Sequence, residues 1–265
     1  MHCVVIGSLE RGFKFVSKNI PIKSQQEKLK HKTNIKSRVN LFVKMKLNKL
    51  TESYSIVLLG IFNPLLFHPF WLKDKGIISQ QDIRIDDDAK GFVVHQKLSS
   101  FPVGDWLNVV IKPERAEFRI KDAAKLVLLK DLVIAVLNAL PDIPIFSFGI
   151  NHGVISTLGN ARDYYEFGKF LNPLDIWNET FKEPKLNFLS IIDDKSKLLT
   201  TKSLMIQPAT YENVEFCVDI NMNYHYQMPE DTHKSLLAAQ KIAENFELCL
   251  NDYDFVVKNI MDKIA

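Results

Sequence analysis

Tyr54-Ser-Ile-Val-Leu-Leu-Gly-Ile-Phe-Asn-Pro-Leu-Leu-Phe-His-Pro-Phe-Trp71 is the stretch whose reading decides the fold. From Ser55 to Ile61 only Ser55 and Gly60 are not large and apolar, so neither face of a strand here could be left in water. This predicts a central strand covered on both sides. Asn63-Pro64 ends it, because proline donates no N–H and its ring pushes the preceding residue out of the helical region. Phe67, Phe70 and Trp71 then follow at the spacing of a short amphipathic turn folded back over the sheet end.

Downstream, Leu72 to Asp88 is polar and turn-rich, with Asp86-Asp87-Asp88 expected as a loop. Gly91–Leu98, Trp106–Lys112 and Ala116–Ile120 are alternating runs separated by Phe-Pro-Val-Gly and Lys-Pro-Glu-Arg turns, the pattern of an antiparallel meander. Ala123–Leu140 reads as a helix with Leu126, Leu129, Val133, Val136 and Leu140 on one stripe, stopped by Pro141. A strand over Ile145–Ile155 is followed by short helices at Ala161–Leu171 and Pro173–Thr180, the second capped by Asn172. Strands at Leu186–Ile192, Leu198–Ile206 and Val214–Tyr226 lead into a terminal helix capped around Glu230-Asp231-Thr232, with apolar residues from Leu236 to Ile260 every three or four positions. Strands then helix, twice over, predict an α+β fold: a largely antiparallel curved sheet of seven to eight strands packed by two long helices, the second C-terminal. No sequence repeat marks a duplication.

A chain of 265 residues with 46% hydrophobic side chains can build a substantial core. The net charge of +3 hides an asymmetry: residues 1–50 carry 12 Lys or Arg against 2 acids, leaving 22 bases against 29 acids over 51–265. Residues 1–44 read as a basic, poorly ordered leader, with 45–265 as one α+β domain. Three readings of the leader stay open: a solvated tail, an arm for nucleic acid or an anionic membrane, or sequence upstream of a natural start at Met45. The acidic body repels phosphate backbones, so nucleic-acid binding is expected only through that leader. Three widely spaced cysteines argue against a disulfide framework and point to a reducing cytoplasm. No run approaches the length of a membrane span.

Two groups of residues are candidate sites. On Cys217–Tyr226, strand alternation puts Asp219, Asn221, Asn223 and His225 on one face, as either a polar groove for a ligand or one metal ion, or the solvated side of a half-buried sheet. At the turn, Phe62, Asn63, Pro64, Phe67, His68 and Trp71 form a candidate interaction surface. Signatures for zinc, for phosphate-binding glycine loops and for a serine nucleophile elbow are missing, so no cofactor, no metal and no catalytic residues are expected. A nuclease-like set of Asp105, Glu117 and Lys121 fails because Arg119 occupies the lysine's place, and a guanidinium does not readily lose a proton.

The FNPLLFHPFW opening, the block Phe216-Cys-Val-Asp-Ile-Asn221 and Ala239-Gln-Lys-Ile-Ala-Glu-Asn-Phe-Glu247 resemble an uncharacterised bacterial α+β family. Its members have such an opening and a VDI(N/D) strand before a terminal helix. The resemblance covers about Tyr54 to Lys258 and brings no catalytic residues. It implies an accessory component of a defence or mobile-element system, and a start at Met45. The resulting expectation is a cytosolic binding protein with a protein partner or a second copy of itself. The alternative is a small-molecule or metal-dependent enzyme using the polar face of the 217–226 strand.

Overall fold

The structure is a computed structural model that describes residues 45–83, 92–173, 177, 180–182, 184–195, 201–230 and 234–264. The leader 1–44, the Asp86–Asp88 loop, most of the helix expected at 173–180, and Asp231 and Thr232 of the expected cap lie outside them.

The described residues form nine strands and four α-helices: β1 (Asn48–Gly60), α1 (Pro69–Asp74), β2 (Val93–His95), β3 (Leu98–Val103), β4 (Leu107–Lys112), β5 (Arg115–Ile120), α2 (Leu126–Ala139), β6 (Ile145–Thr157), α3 (Ala161–Leu171), β7 (Leu189–Asp193), β8 (Thr201–Tyr211), β9 (Val214–Gln227) and α4 (Ser235–Ile264). All strands join one sheet, in the order β2-β3-β4-β5-β1-β6-β9-β8-β7. Each pairing is antiparallel. The α+β class is as expected, but there is one strand more than seven or eight.

The additional strand is β3, whose Phe-Pro-Val end reads locally as a turn. Pro102 is tolerated there because β2 pairs only with Leu98–Ser100. The rest of β3 is an edge on that side, where a missing N–H costs no ladder bond. The two long helices are matched in part, α4 having 30 residues and α2 only 14; α3, with 11, is the short helix expected at Ala161–Leu171, and α1 adds 6 more.

β1 and β6, both 13 residues long, meet at the centre of the sheet in the register Ile56↔Ile150, Tyr54↔His152. Outward from this seam, each half repeats one order: a long strand, a helix, a meander and a second helix. Tyr54, Ile56 and Leu58 of β1 share the core with Phe118 and Ile120 of β5, Phe148 and Ile150 of β6, and Ile220, Met222 and Tyr224 of β9. Onto this face α2 brings Leu129, Val133 and Val136, and α4 brings Ile242, Phe246 and Cys249. In α4 the buried set is wider than a single stripe, because the helix packs on both the sheet and α2. Leu236, expected in the stripe, is 49% exposed, while Ala238 and Ile242 are buried.

β1 is covered by helices on one face only, a correction to the expected cover on both. Ser53, Ser55, Val57 and Leu59 point to the other side. Val57 is nevertheless buried, in a hollow walled by Arg115, Glu117 and Arg119.

Between sheet and α4, the His152 ring lies against those of Tyr54 and Tyr253, tilted by 31° and 32°, with ring centroids 4.1 Å and 3.5 Å away. Among the described residues neither ring nitrogen has a hydrogen-bond partner, and Nε2 stands 4.0 Å from the Glu52 carboxylate. Burial pushes the imidazole down to about 4, against the pull of Glu52 and with a small push from Lys49. The ring is therefore neutral at pH 7. Between pH 6.5 and 4 the unfolded chain binds a proton that the folded one refuses, so stability falls as pH falls. At ~1.4 kcal/mol per pH unit the loss reaches about 3 kcal/mol. Urea unfolding at pH 7 and pH 4 should show wild type losing about that much more stability than His152→Phe.

At the end of β1, Gly60 adjoins a register shift against β6. A Cβ there would stand 2.2 Å from the Pro144 carbonyl oxygen, the acceptor of the Ile61 N–H at 3.1 Å. Since backbone must move to admit it, Gly60→Ala should cost on the order of 1–3 kcal/mol in chemical denaturation.

Candidate functional site on the open face of the sheet

The buried side chains of all four helices join the core on one face, so the alternate residues of the central strands form the open face. In the pairing β5-β1-β6-β9 this aligns Arg119, Ser55, Asn151 and Asn223 across four strands, with Glu117, Val57, Gly149 and His225 in the next row. Small residues at the seam leave a hollow of about 150 Å³ among Ser53, Ser55, Val57, Asn151, Gly153, Asn221 and the β5 side chains Arg115, Glu117 and Arg119.

Glu117 takes one arginine on each oxygen: Arg115 Nη2 donates to Oε2 at 3.0 Å, and Arg119 Nη2 forms an ion pair with Oε1. Asn151 Nδ2 donates to Ser55 Oγ at 3.3 Å. Two glycines make room for the amides of β9. A Cβ on Gly149 would lie 2.9 Å from Asn223 Oδ1, and one on Gly153 would lie 2.8 Å from Asn221 Nδ2. Asn223 Oδ1 is buried and, among the described residues, accepts no hydrogen bond. An acceptor left in that state costs about 1–3 kcal/mol, which an arriving N–H or O–H would recover. Further along β9, Gln207 Nε2 donates to Asp219 Oδ2 at 3.2 Å. Burial raises the Asp219 carboxyl above its ordinary value despite that bond.

Asp219, Asn221, Asn223 and His225 thus share the open face, and Asn221 lines the hollow. They do not converge. Six residues of extended chain put Asp219 about 20 Å from His225, and four put it about 13 Å from Asn223. A single metal ion held by this set is therefore corrected by the geometry of the strand. Among the described residues no three His, Cys, Asp or Glu side chains are grouped to hold a metal.

The aromatic turn is also corrected as a surface. Phe62, Pro64, Phe67 and Trp71 are buried, with Phe67 5.5 Å from Trp71 and 6.1 Å from Phe62 between centroids. Asn63 Oδ1 accepts from the Leu65 N–H at 3.2 Å, and His68 Nδ1 from the Trp71 N–H at 3.1 Å, so both polar side chains cap short helices. The rings close the core over β3, where the Ser99 hydroxyl donates to the Phe67 carbonyl. Ile61, Asn63, Leu65 and Phe70 are exposed at this corner, and His68 is half-buried.

Arg115, Ser55 and Asn151 were not singled out as a site from the sequence, and Glu117 entered only the rejected nuclease-like set. The alternation Gly149-x-Asn151-x-Gly153 carried the signal, since small and amide residues on one face of an otherwise apolar strand leave space there. Neither a family model nor a curated protein matches this chain.

Gly149→Ala places its methyl against the movable end of Asn223 rather than backbone. It should cost under about 1 kcal/mol in urea unfolding. The Asn223 side-chain amide should nonetheless change its NMR chemical shift well beyond that of Asn160.

Proposed function

We propose that this protein is a non-catalytic binding protein that engages a protein partner through the open face of its sheet. The Asn223 carbonyl supports the reading: it is a buried acceptor that, among the described residues, has no hydrogen-bond partner, and it lies over Gly149, two residues along β9 from Asn221 of the hollow. At about 150 Å³ the hollow is half the smallest usual small-molecule pocket, and fits one anchoring side chain from a larger surface. An amide or hydroxyl side chain suits it, since Glu117 already occupies both arginines. Two arginines around one carboxylate leave a single net positive charge here, too little for a phosphate backbone, which is held by several cations. Cys217 and Cys249 are buried free thiols, and burial pushes the Cys249 thiol up to about 12, in keeping with a reducing compartment. Among the described residues no helix is long and apolar enough to cross a membrane. An accessory role in a bacterial defence or mobile-element system is part of this proposal, and rests on the family resemblance alone.

A photo-crosslinking residue at Met205, on the open face of β8, should yield one discrete adduct in cells that make the protein natively. The same residue at Glu247 on the outside of α4 should not. Asn223→Leu should weaken the interaction with the partner so identified at least tenfold. A monomer by light scattering that gives no adduct from Met205, or the same adducts from both positions, would overturn the proposal.

A further inference from the structure

On the other face of the sheet, a pocket of about 440 Å³ opens beside α3, within the range that takes drug-sized ligands. Its floor is apolar and buried, formed by Phe167 of α3, Ile206 of β8 and Val218 of β9. Lys182 and Lys185 are exposed and line it. Among the described residues neither has a carboxylate partner, and no Asp or Glu lines the pocket. Lys185 Nζ lies 5.0 Å from the centre of the Tyr165 ring, which also lines it. This is the arrangement of a site for a molecule with an apolar body and one negative charge.

A second observation is Gly168, in the interior of α3. Glycine in mid-helix is destabilising relative to alanine and is usually explained by a positive φ or a close backbone approach. Neither applies: its φ is not positive, and a Cβ would make only ordinary contact, 3.6 Å from Leu186 Cβ. Both Gly168 and Leu186 line the pocket, so the missing side chain leaves volume in it.

We infer that the pocket beside α3 binds an amphipathic organic anion, its apolar body on Phe167, Ile206 and Val218 and its carboxylate or phosphate head between Lys182 and Lys185. The site is separate from the hollow on the open face and does not depend on the proposal made for it.

Calorimetric titration with decanoate and with 2-naphthoate distinguishes a chain-like body from a flat one, with decyltrimethylammonium as the cationic control. One of the anions should bind at least tenfold more tightly than the control and raise the Tm by several degrees. The double variant Lys182→Gln/Lys185→Gln should lose at least tenfold of that affinity. Gly168→Leu should abolish binding while keeping a cooperative thermal transition; if it does not fold, the lysine variant carries the test. Failure of both anions to bind, equal binding of the cation, or undiminished binding in the lysine variant would overturn the inference.

Discussion

The pairing of β1 with β6 is the constraint on which everything else depends. The register sets Ile56 against Ile150 and Leu58 against Phe148, placing the large apolar side chains of both strands on one face. A slip of one residue would turn Tyr54, Ile56 and Leu58 to the open side and bring Ser53 and Ser55 under the helices. The same register puts His152 opposite Tyr54 and against Tyr253, tying the seam to α4 through three rings in contact.

Around this seam the two halves repeat one order of elements with different contents. Between its long strand and its meander the first half has a six-residue helix and a set of rings that fill the space over β3. The second half has an eleven-residue helix there, with a glycine in its interior and an open pocket beside it. Equivalent positions in the topology thus serve the core in one half and leave volume in the other. α2 and α4 close both halves by packing against each other. Ser235 Oγ donates to the carbonyl of Leu140, joining the start of the last helix to the end of the earlier one.

The open face is polar without being strongly charged. Its most prominent cations, Arg115 and Arg119, share Glu117, and its β9 ladder sets the amides of Asn221 and Asn223 between Asp219 and His225. Such a surface recognises through the direction of hydrogen bonds more than through net field, since paired charges retain little long-range potential. Small residues of β6 serve this arrangement twice, by carrying the seam and by letting Asn221 and Asn223 lie across it.

The sequence by itself determined what local periodicity can determine. The apolar run from Ile56 to Ile61, the alternation from Cys217 to Tyr226 and the three-to-four spacing of the last helix each follow from the side-chain direction of one element. Breaks at Asn63-Pro64 and Pro141 follow from a proline's missing N–H. Asp219, Asn221, Asn223 and His225 were for that reason legible as one face, and β3 was not, because its Pro102 is acceptable only at an edge that β2 leaves unpaired. Tertiary structure alone decided that β5, β1, β6 and β9 lie side by side, since pairing between strands far apart in the chain leaves no mark in either strand's own pattern. It likewise turned the aromatic rings at Phe62, Phe67 and Trp71 inward: a ring's spacing says which side of its segment it occupies, but only the packed neighbours decide whether that side meets water or core.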